Sequence, residues 1–568
     1  MTAITAPLAL LHDIGAVLRA NTVANWTAAA LLCALPSSRA AGQNTPVVPV
    51  TAELRKIVSS GQLKELRWPA FRNLMPGVSV VYEQTGYGPL WIVVGQITPK
   101  GQAVLDALLL AADKGLDPEE YDARKLANWA ERLKSAGGTQ ERELAALDAA
   151  ITVELMRYAS ALHQGRVDPR QVHFAIRPKD RLDPGKFVRD YLQSARSLPE
   201  LLAEIEPPFR GYRRTLAALV QYQELASREP AQMPLRPRLP LKKGQSYGDM
   251  QHLVARLELL GDLQGSPATA GPSGIYDGAA FEAMQRFQRR HGLPATGTVD
   301  AATWRAFTMP LSRRVEQLQL TLERWRWLPS AVMPAVVVNI PEFELRAYDE
   351  NRELALRMHV IVGKSYRHKT PVFEDKLEFV IVRPWWNVPL SIQREEMVPE
   401  LRAHPDYLQK NHLQAFDRAN RPVAAPPQQL LEQLASGELR LRQQPGPDNS
   451  LGLLKFDFPN NYSVYMHGTP ARQLFSQSRR DFSHGCIRLE DPESLAAWVL
   501  QHDPAWNRET ITAAMTGDRT IRIPVVPPVT VLVVYGTAFV EEDGEARFYS
   551  DLYGYDRELR QALALSHP

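Results

Sequence analysis

Two hydrophobic periodicities divide this 568-residue chain near residue 311. Between about residues 50 and 230, apolar side chains recur every three or four positions, as in "TPKGQAVLDALLLAADKGLD", which predicts amphipathic helices. After residue 311, short β-branched and aromatic runs bounded by Pro, Gly and Asn predict strands instead. Because a chain of this length is too long for one core, we expect a multidomain α+β protein whose helical scaffold domain spans 50–235.

A small three-helix module is predicted at 240–310. It follows the segment 228–244, whose four prolines are typical of a semi-rigid linker. Asp300 precedes the third helix as an N-cap. The apolar residues that mark the three helices are Leu253, Leu257 and Leu260, then Phe281, Met284 and Phe287, then Trp304 and Phe307. These spacings indicate a compact unit with its own core.

The remaining residues, 311–568, are expected to form a β-rich domain. Residues 392–445 interrupt its strands with a helical and loop-like pattern. Such an insertion either covers a site or is decoration, and we favour the first interpretation, a capping lid.

The N-terminal segment is typical of an export signal. Residues 26–42 combine a short apolar core with a Pro-Ser-Ser break and small residues near Ala40, so we expect 1–41 to be a signal peptide or an N-terminal anchor. Removing it would leave Cys486 as the only cysteine, because the other, Cys33, lies inside it. A single thiol cannot form an intramolecular disulfide, which favours a reactive role. The net charge of +3 gives no reason to expect a nucleic-acid partner.

The surroundings of Cys486 predict a cysteine-histidine site. His467 ends a strand-like run nineteen residues before the cysteine, and His484 precedes it by two. An imidazole and nearby positive charge lower the pKa of a thiol and make it an acyl-forming nucleophile. His467 is the preferred base, with His484 as the alternative or a pocket-shaping hydrogen bonder. Two alternatives are weaker. An inert buried cysteine is disfavoured because Ser, His, Gly and Arg flank this one, and a zinc site is disfavoured because a second cysteine is lacking.

Three other residues near the thiol have expected roles. Gly485 lets the backbone approach a substrate closely and adopt conformations that side chains forbid. The N–H groups of Gly485 and Cys486 are candidates to stabilise the oxyanion of a tetrahedral intermediate. Arg488 would add positive charge or bind a substrate carboxylate.

Two resemblances follow from these motifs. The run "GIYDGAAFEAMQRFQRRHGLPATGTVDAATWRAF" resembles the peptidoglycan-binding domain type 1 family. The pair "HGTP" and "SHGCIRL" resembles the catalytic motif of L,D-transpeptidases with a YkuD-type domain. The runs "KGLDPEEY", "ERWRWLP" and "RPWWNVPLSI" and the domain order are similar to the large periplasmic members of that family from Gram-negative bacteria.

The second resemblance implies a fold and a set of site residues. The catalytic domain would be β-sandwich-like, with the insertion as a helical cap. Cys486 would be the nucleophile and His467 the base, its imidazole oriented by the Gly468 carbonyl. The positions that would line the substrate and oxyanion site are Ser483, His484, Gly485 and Arg488. Large family members more often have Asp where this chain has Gly468, a departure that affects local loop conformation. No metal and no cofactor are implied.

The implied reaction is cysteine acyl transfer in peptidoglycan. The thiol would attack a tetrapeptide stem at its third residue, a diamino acid, and release the terminal D-Ala. A neighbouring stem amine would accept the acyl group to give a 3-3 cross-link. The alternatives are hydrolysis of the same acyl-enzyme, attachment of an outer-membrane protein to the stem, and a non-catalytic wall-binding role.

The same resemblance implies partners and a compartment. Stem peptides and glycan would be bound, and cell-wall synthesis enzymes are further candidate partners. The protein would be periplasmic, with membrane contact only through an N-terminal anchor, and carbapenems would acylate Cys486.

Overall fold

The computed structural model describes residues 49–135, 141–177, 179–263, 274–329 and 335–566. The expected signal peptide or anchor at 1–41 lies outside the described residues and stays a prediction. None of the helices in the described part of the chain combines the length and apolar character that a membrane span needs.

The first domain is helical, as the periodicity predicts. Its longest helix, Glu141–Gln164, is buried on nearly all sides, and the shorter helices pack around it. A helix that is buried on nearly all sides forms the centre of a bundle. The helices of this domain are Val50–Ser60, Met75–Gln84, Pro99–Leu109, Ala123–Ser135, Glu141–Gln164, Pro184–Gln193, Leu198–Ile205 and Arg210–Ser227.

The small module has the three predicted helices, Met250–Leu259, Gly278–Arg290 and Ala301–Phe307, and a short hairpin of Gln245–Ser246 with Ile275–Tyr276. The side chain of Asp300 caps the third helix by accepting a hydrogen bond of 2.7 Å from the Thr303 amide. The apolar residues that predicted the three helices form a core, because nearly all of them lie in one buried cluster.

The module is docked on the rest of the molecule through its His-Gly turn. The ring of His291 stacks on Phe287, with centroids 3.8 Å apart, and on Phe548 at 5.9 Å. Beside it, Arg290 donates a hydrogen bond of 3.0 Å to the hydroxyl of Tyr222. The motif residues of this turn therefore serve an interdomain contact.

A closed nine-stranded sheet forms the centre of the last domain. Its strands are, in order across the sheet, Asp481–Ser483, Leu354–Gly363, Ile487–Leu489, Met466–His467, Leu454–Asp457, Phe373–Val382, Ile521–Val534, Ala335–Asn339 and Glu344–Tyr348. The last of these also pairs with Leu354–Gly363, so the sheet closes on itself around a β-branched core.

Helices and a hairpin cover this sheet. Leu311–Trp327 packs between it and the scaffold helix Arg210–Ser227, and all three contribute to one continuous core. The other elements are the helices Pro492–Val499, Arg508–Thr516 and Tyr555–Leu565 and the hairpin of Ala538–Val540 with Ala546–Phe548.

The insertion is a subdomain with its own small core. It begins at about Trp386, earlier than the predicted residue 392. It also contains a three-stranded antiparallel sheet, Leu413–Phe416, Arg440–Gln443 and Trp386–Asn387, that the helical and loop-like pattern did not predict. Its helical segments are Leu390–Ile392, Gln393–Met397, Val398–Ala403, Tyr407–Lys410 and Pro427–Ser436. Strands of only two or four residues are too short to show a clear alternation in sequence.

Candidate active site

Two parallel strands bring the cysteine and the preferred histidine to one face of the sheet. The strand that ends at His467 pairs with the strand that follows Cys486, with Met466 opposite Ile487 and His467 opposite Arg488. Met466 and Ile487 are completely buried in the core. Because side chains alternate along a strand, His467 and Arg488 lie on the opposite face.

Cys486 lies on the same face of the sheet, two residues before Arg488, which is the residue that pairs with His467. The Ile487 amide donates a hydrogen bond of 3.1 Å to the carbonyl of Tyr465, which places Tyr465 beside Cys486 and two residues from His467. The thiol sulfur is 3.9 Å from the carbonyl oxygen of Ser463. The predicted cysteine-histidine pair therefore occupies neighbouring strands on a shared face.

The backbone fixes the tautomer of His467. Its Nδ1 atom is 2.6 Å from the carbonyl oxygen of Gly468, which can only accept a hydrogen bond. Nδ1 therefore carries the proton and Nε2 keeps a free lone pair. Burial, together with the positive charge of Arg488, lowers the pKa of this imidazole to about 3, so the ring is neutral at neutral pH. The contact with the Gly468 carbonyl is the one that the resemblance implies.

The thiol environment differs from the expectation. Burial raises the pKa of Cys486 above its ordinary value, although hydrogen bonds from Tyr465 and the charges of Lys455 and Arg488 oppose this. The expected lowering by adjacent imidazole and positive charge is therefore outweighed by the loss of hydration. The resting site holds a neutral thiol and a neutral imidazole.

The turn before the cysteine is held by Ser483. Its hydroxyl donates a hydrogen bond of 2.6 Å to the Cys486 carbonyl and accepts one of 3.1 Å from the Gly485 amide. The Gly485 N–H is thus already occupied, which contradicts its predicted role as an oxyanion donor. The Cys486 N–H remains the candidate for that role.

Gly485 needs its conformational freedom. Its φ of +115° lies in a region that side chains rarely adopt. Its carbonyl accepts a hydrogen bond of 2.8 Å from the Thr370 hydroxyl, which in turn accepts one of 2.8 Å from the amide of Gly363. Thr370 is completely buried and lies more than a hundred residues from the motif, so no local sequence signal identifies it.

His484 contacts the capping subdomain rather than the thiol. Its Nε2 atom is 2.5 Å from Oε1 of Glu396, in the helical turn Gln393–Met397 of the insertion, and its ring centroid is 4.8 Å from that of His368. This position agrees with a pocket-shaping role and does not favour the alternative of His484 as base. Neither Glu396 nor His368 belongs to a recognisable motif, so sequence reasoning missed both.

Positive charge surrounds the pair. Arg488 is half-buried, and its Nε is a buried donor with no hydrogen-bond partner among the described residues. Lys455 lies opposite His467 on the next strand, with its Nζ 4.3 Å from the ring centroid of Tyr465. Lys455 and Tyr465 were missed, although period-two alternation places both on the face of His467.

Comparison with known families identifies all three domains. Residues 333–525 match the YkuD family, described as "L,D-transpeptidase catalytic domain". This part of the chain is similar to L,D-transpeptidase catalytic domains. Residues 76–219 match the family described as "Scaffold domain", and 246–307 match "Putative peptidoglycan binding domain". These matches confirm the resemblances and the multidomain α+β organisation, and the small module supports peptidoglycan as a partner.

A curated protein and a solved structure are similar to parts of this chain. A Haemophilus influenzae protein named "Putative L,D-transpeptidase" is 31% identical over 253 residues, which cover 44% of this chain. The matched region spans about half, 50%, of that relative's length. The crystal structure of an L,D-transpeptidase from Stackebrandtia nassauensis matches 53% of this chain and 97% of its own, with 13% identity and a TM-score of 0.19, a similarity too low to support an argument.

Proposed function

We propose that this protein is an L,D-transpeptidase that forms 3-3 cross-links in peptidoglycan by cysteine acyl transfer. The observation that carries the proposal is the placement of Cys486 and His467 on one face of two parallel strands, with Nε2 of His467 left unprotonated by the Gly468 contact. A thiol nucleophile and a neutral base on one surface are what acyl transfer requires.

The reaction begins with both groups neutral. Cys486 attacks the carbonyl carbon of the third residue of the donor stem while His467 Nε2 takes the thiol proton. The tetrahedral oxyanion is stabilised by the Cys486 N–H, and positive charge from Arg488 and Lys455 adds to this. The C–N bond then breaks, the proton passes to the leaving D-Ala amine, and the acyl group stays on sulfur as a thioester.

The second half transfers the acyl group. The side-chain amine of a neighbouring stem attacks the thioester, His467 accepts its proton, and the thiol is regenerated as the 3-3 amide bond forms. The capping subdomain over His484 supports this acceptor over water, because a covered site excludes bulk solvent.

Location and partners belong to the same proposal. The mature chain would act in the periplasm after export directed by residues 1–41, either released or anchored to the inner membrane. The small module would hold the enzyme on stem peptides and glycan, near cell-wall synthesis enzymes.

The test is product analysis with tetrapeptide-rich muropeptides. Three proteins are incubated separately with the muropeptides: wild type, Cys486→Ala and the control Ser476→Ala. Ser476 is an exposed residue ten positions before the cysteine. The products are identified by mass spectrometry. Dimers that lack one D-Ala in wild type and control, and their absence with Cys486→Ala, are expected. Tripeptide monomers would instead identify a hydrolase. Identical products from wild type and Cys486→Ala would refute cysteine catalysis.

A further inference from the structure

A mainly apolar cavity lies where two scaffold-side helices meet the nine-stranded sheet, apart from the Cys486 site. Its volume is about 140 Å³. The helices Arg210–Ser227 and Leu311–Trp327 form one side, and the strands Ala335–Asn339 and Ile521–Val534 form the other. The apolar side chains that matter for the argument are Phe174, Phe209, Trp325, Trp327, Val337 and Val534.

Two buried polar side chains that line this cavity carry polar atoms without a hydrogen-bond partner among the described residues. Thr321 and Arg324 are only 5% and 7% exposed, and both line the cavity. Arg324 uses Nη1 to donate a hydrogen bond of 2.6 Å to Asp556. Its Nε and Nη2, and the Thr321 hydroxyl, have no hydrogen-bond partner among the described residues. Buried polar groups are normally hydrogen-bonded, so three such atoms in one cavity indicate a missing acceptor.

The opposite helix adds uncompensated positive charge. Arg214 also lines the cavity, and within the described ranges its Nε has no hydrogen-bond partner and its guanidinium no ion pair. Among the other arginines of the lining, Arg210 pairs with Glu353 at 2.7 Å, Arg346 pairs with Glu342 at 2.7 Å, and Arg352 donates a hydrogen bond of 3.1 Å to the Pro208 carbonyl. Five arginines and one carboxylate, Glu542, line the cavity, so its charge favours an anion.

The helices hold these groups at fixed positions. Thr321, Arg324 and Trp325 follow the three-and-four spacing of one helix face. A Cβ atom on Gly211 would lie 2.7 Å from the ring of Trp325, so the two helices approach too closely at this point to shift freely. A rigid pocket with oriented donors binds a ligand without first having to be ordered.

We propose that this cavity binds a small amphipathic carboxylate, such as a short-chain fatty acid. The carboxylate would accept hydrogen bonds from Arg324 and Thr321, with Arg214 balancing its charge, and the alkyl chain would pack on Trp325 and Trp327. A planar carboxylate suits the two adjacent donors of a guanidinium edge. The size excludes larger ligands, because a cavity of about 150 Å³ holds a molecule the size of benzene.

Calorimetric titration of the full chain tests this proposal, with sodium butyrate as the probe and 1-butanol as its neutral analogue. One-to-one binding of butyrate, at least tenfold tighter than that of butanol, is expected. Absence of butyrate binding up to 5 mM, or equal affinity for both probes, would overturn the proposal. The Cys486→Ala protein serves for these titrations, so the result is independent of the proposed transpeptidase activity.

Two variants locate the binding. Val337→Phe fills the cavity and should weaken butyrate binding at least tenfold, whereas Val220→Phe, at a 45% exposed position of the helix Arg210–Ser227, should not. Thr321→Val keeps the side-chain shape, removes the hydroxyl and should weaken binding about threefold to tenfold. Thermal unfolding checks that each variant is folded. Unchanged binding in both Val337→Phe and Thr321→Val would place the ligand elsewhere and refute the site.

Discussion

Nε2 of His484 lies 2.5 Å from Oε1 of Glu396, and this contact joins the Ser-His-Gly-Cys segment to the capping subdomain. The side chain of Glu396 is 51% exposed. An exposed contact of this kind contributes about 1 kcal/mol or less. Taken alone, this contact therefore holds the subdomain only weakly against the segment.

Removing this contact should favour water as the acyl acceptor. In Glu396→Ala the subdomain loses its contact with His484, so we expect a severalfold higher ratio of tripeptide monomer to cross-linked dimer, measured by mass spectrometry of muropeptide products. The control is Glu400→Ala, since that carboxylate lies 4.0 Å from His404 of the same subdomain. Equal ratios in the two variants would show that the contact does not govern the acceptor.

Gly485→Ala should lower activity through the backbone. At φ +115° an alanine is strained by about 1 kcal/mol or more, and relief of that strain would displace the Cys486 N–H. We expect kcat/KM to fall at least tenfold while the protein stays folded. Gly244→Ala is the matched control, because Gly244 also has a positive φ, +81°, with no atom within 4 Å of an added Cβ, and lies outside the site.

The two glycine variants are compared by thermal unfolding as well as by kinetics. A similar loss of stability in both, with activity lost only in Gly485→Ala, is the expected pattern. Full activity in Gly485→Ala would mean that the conformation of this turn is not needed for the reaction.

The sequence predicts the parts of the site that are local. Cys486, His467 and the Gly468 contact follow from a motif in which strand ends and turn glycines lie close along the chain. Three helices of the small module are equally predictable, because their apolar residues repeat regularly.

The residues of the site that were not predicted from the sequence depend on contacts between segments that are distant along the chain. Thr370 and Glu396 reach the motif only after the sheet closes and the insertion folds, and neither has a distinctive spacing. The pKa of the thiol could not be predicted from the sequence either, because burial is a property of the whole fold and it outweighs the neighbouring charges. Likewise, the occupied N–H of Gly485 depends on the rotamer of Ser483.

Acid should destabilise the docked module through His291. Burial lowers the pKa of His291 well below its ordinary value of 6.5. Below pH 6.5 the unfolded chain binds a proton that the folded chain excludes, so stability falls as the pH decreases. His291→Gln, which does not titrate, should show a smaller decrease in unfolding temperature between pH 7.5 and 5.0. An equal decrease in both proteins would contradict this assignment.

The resting charge state of the thiol can be measured by alkylation. Since burial raises the pKa of Cys486 and His467 has a pKa of about 3, thiol and imidazole are both neutral near pH 7. The rate constant for iodoacetamide at Cys486, followed by peptide mass mapping, should rise about tenfold per pH unit between pH 6 and 8.5, because only the thiolate reacts. His467→Gln should keep this slope. A wild-type rate that is constant over the same range, and a slope that appears only in His467→Gln, would instead indicate a preformed thiolate-imidazolium pair.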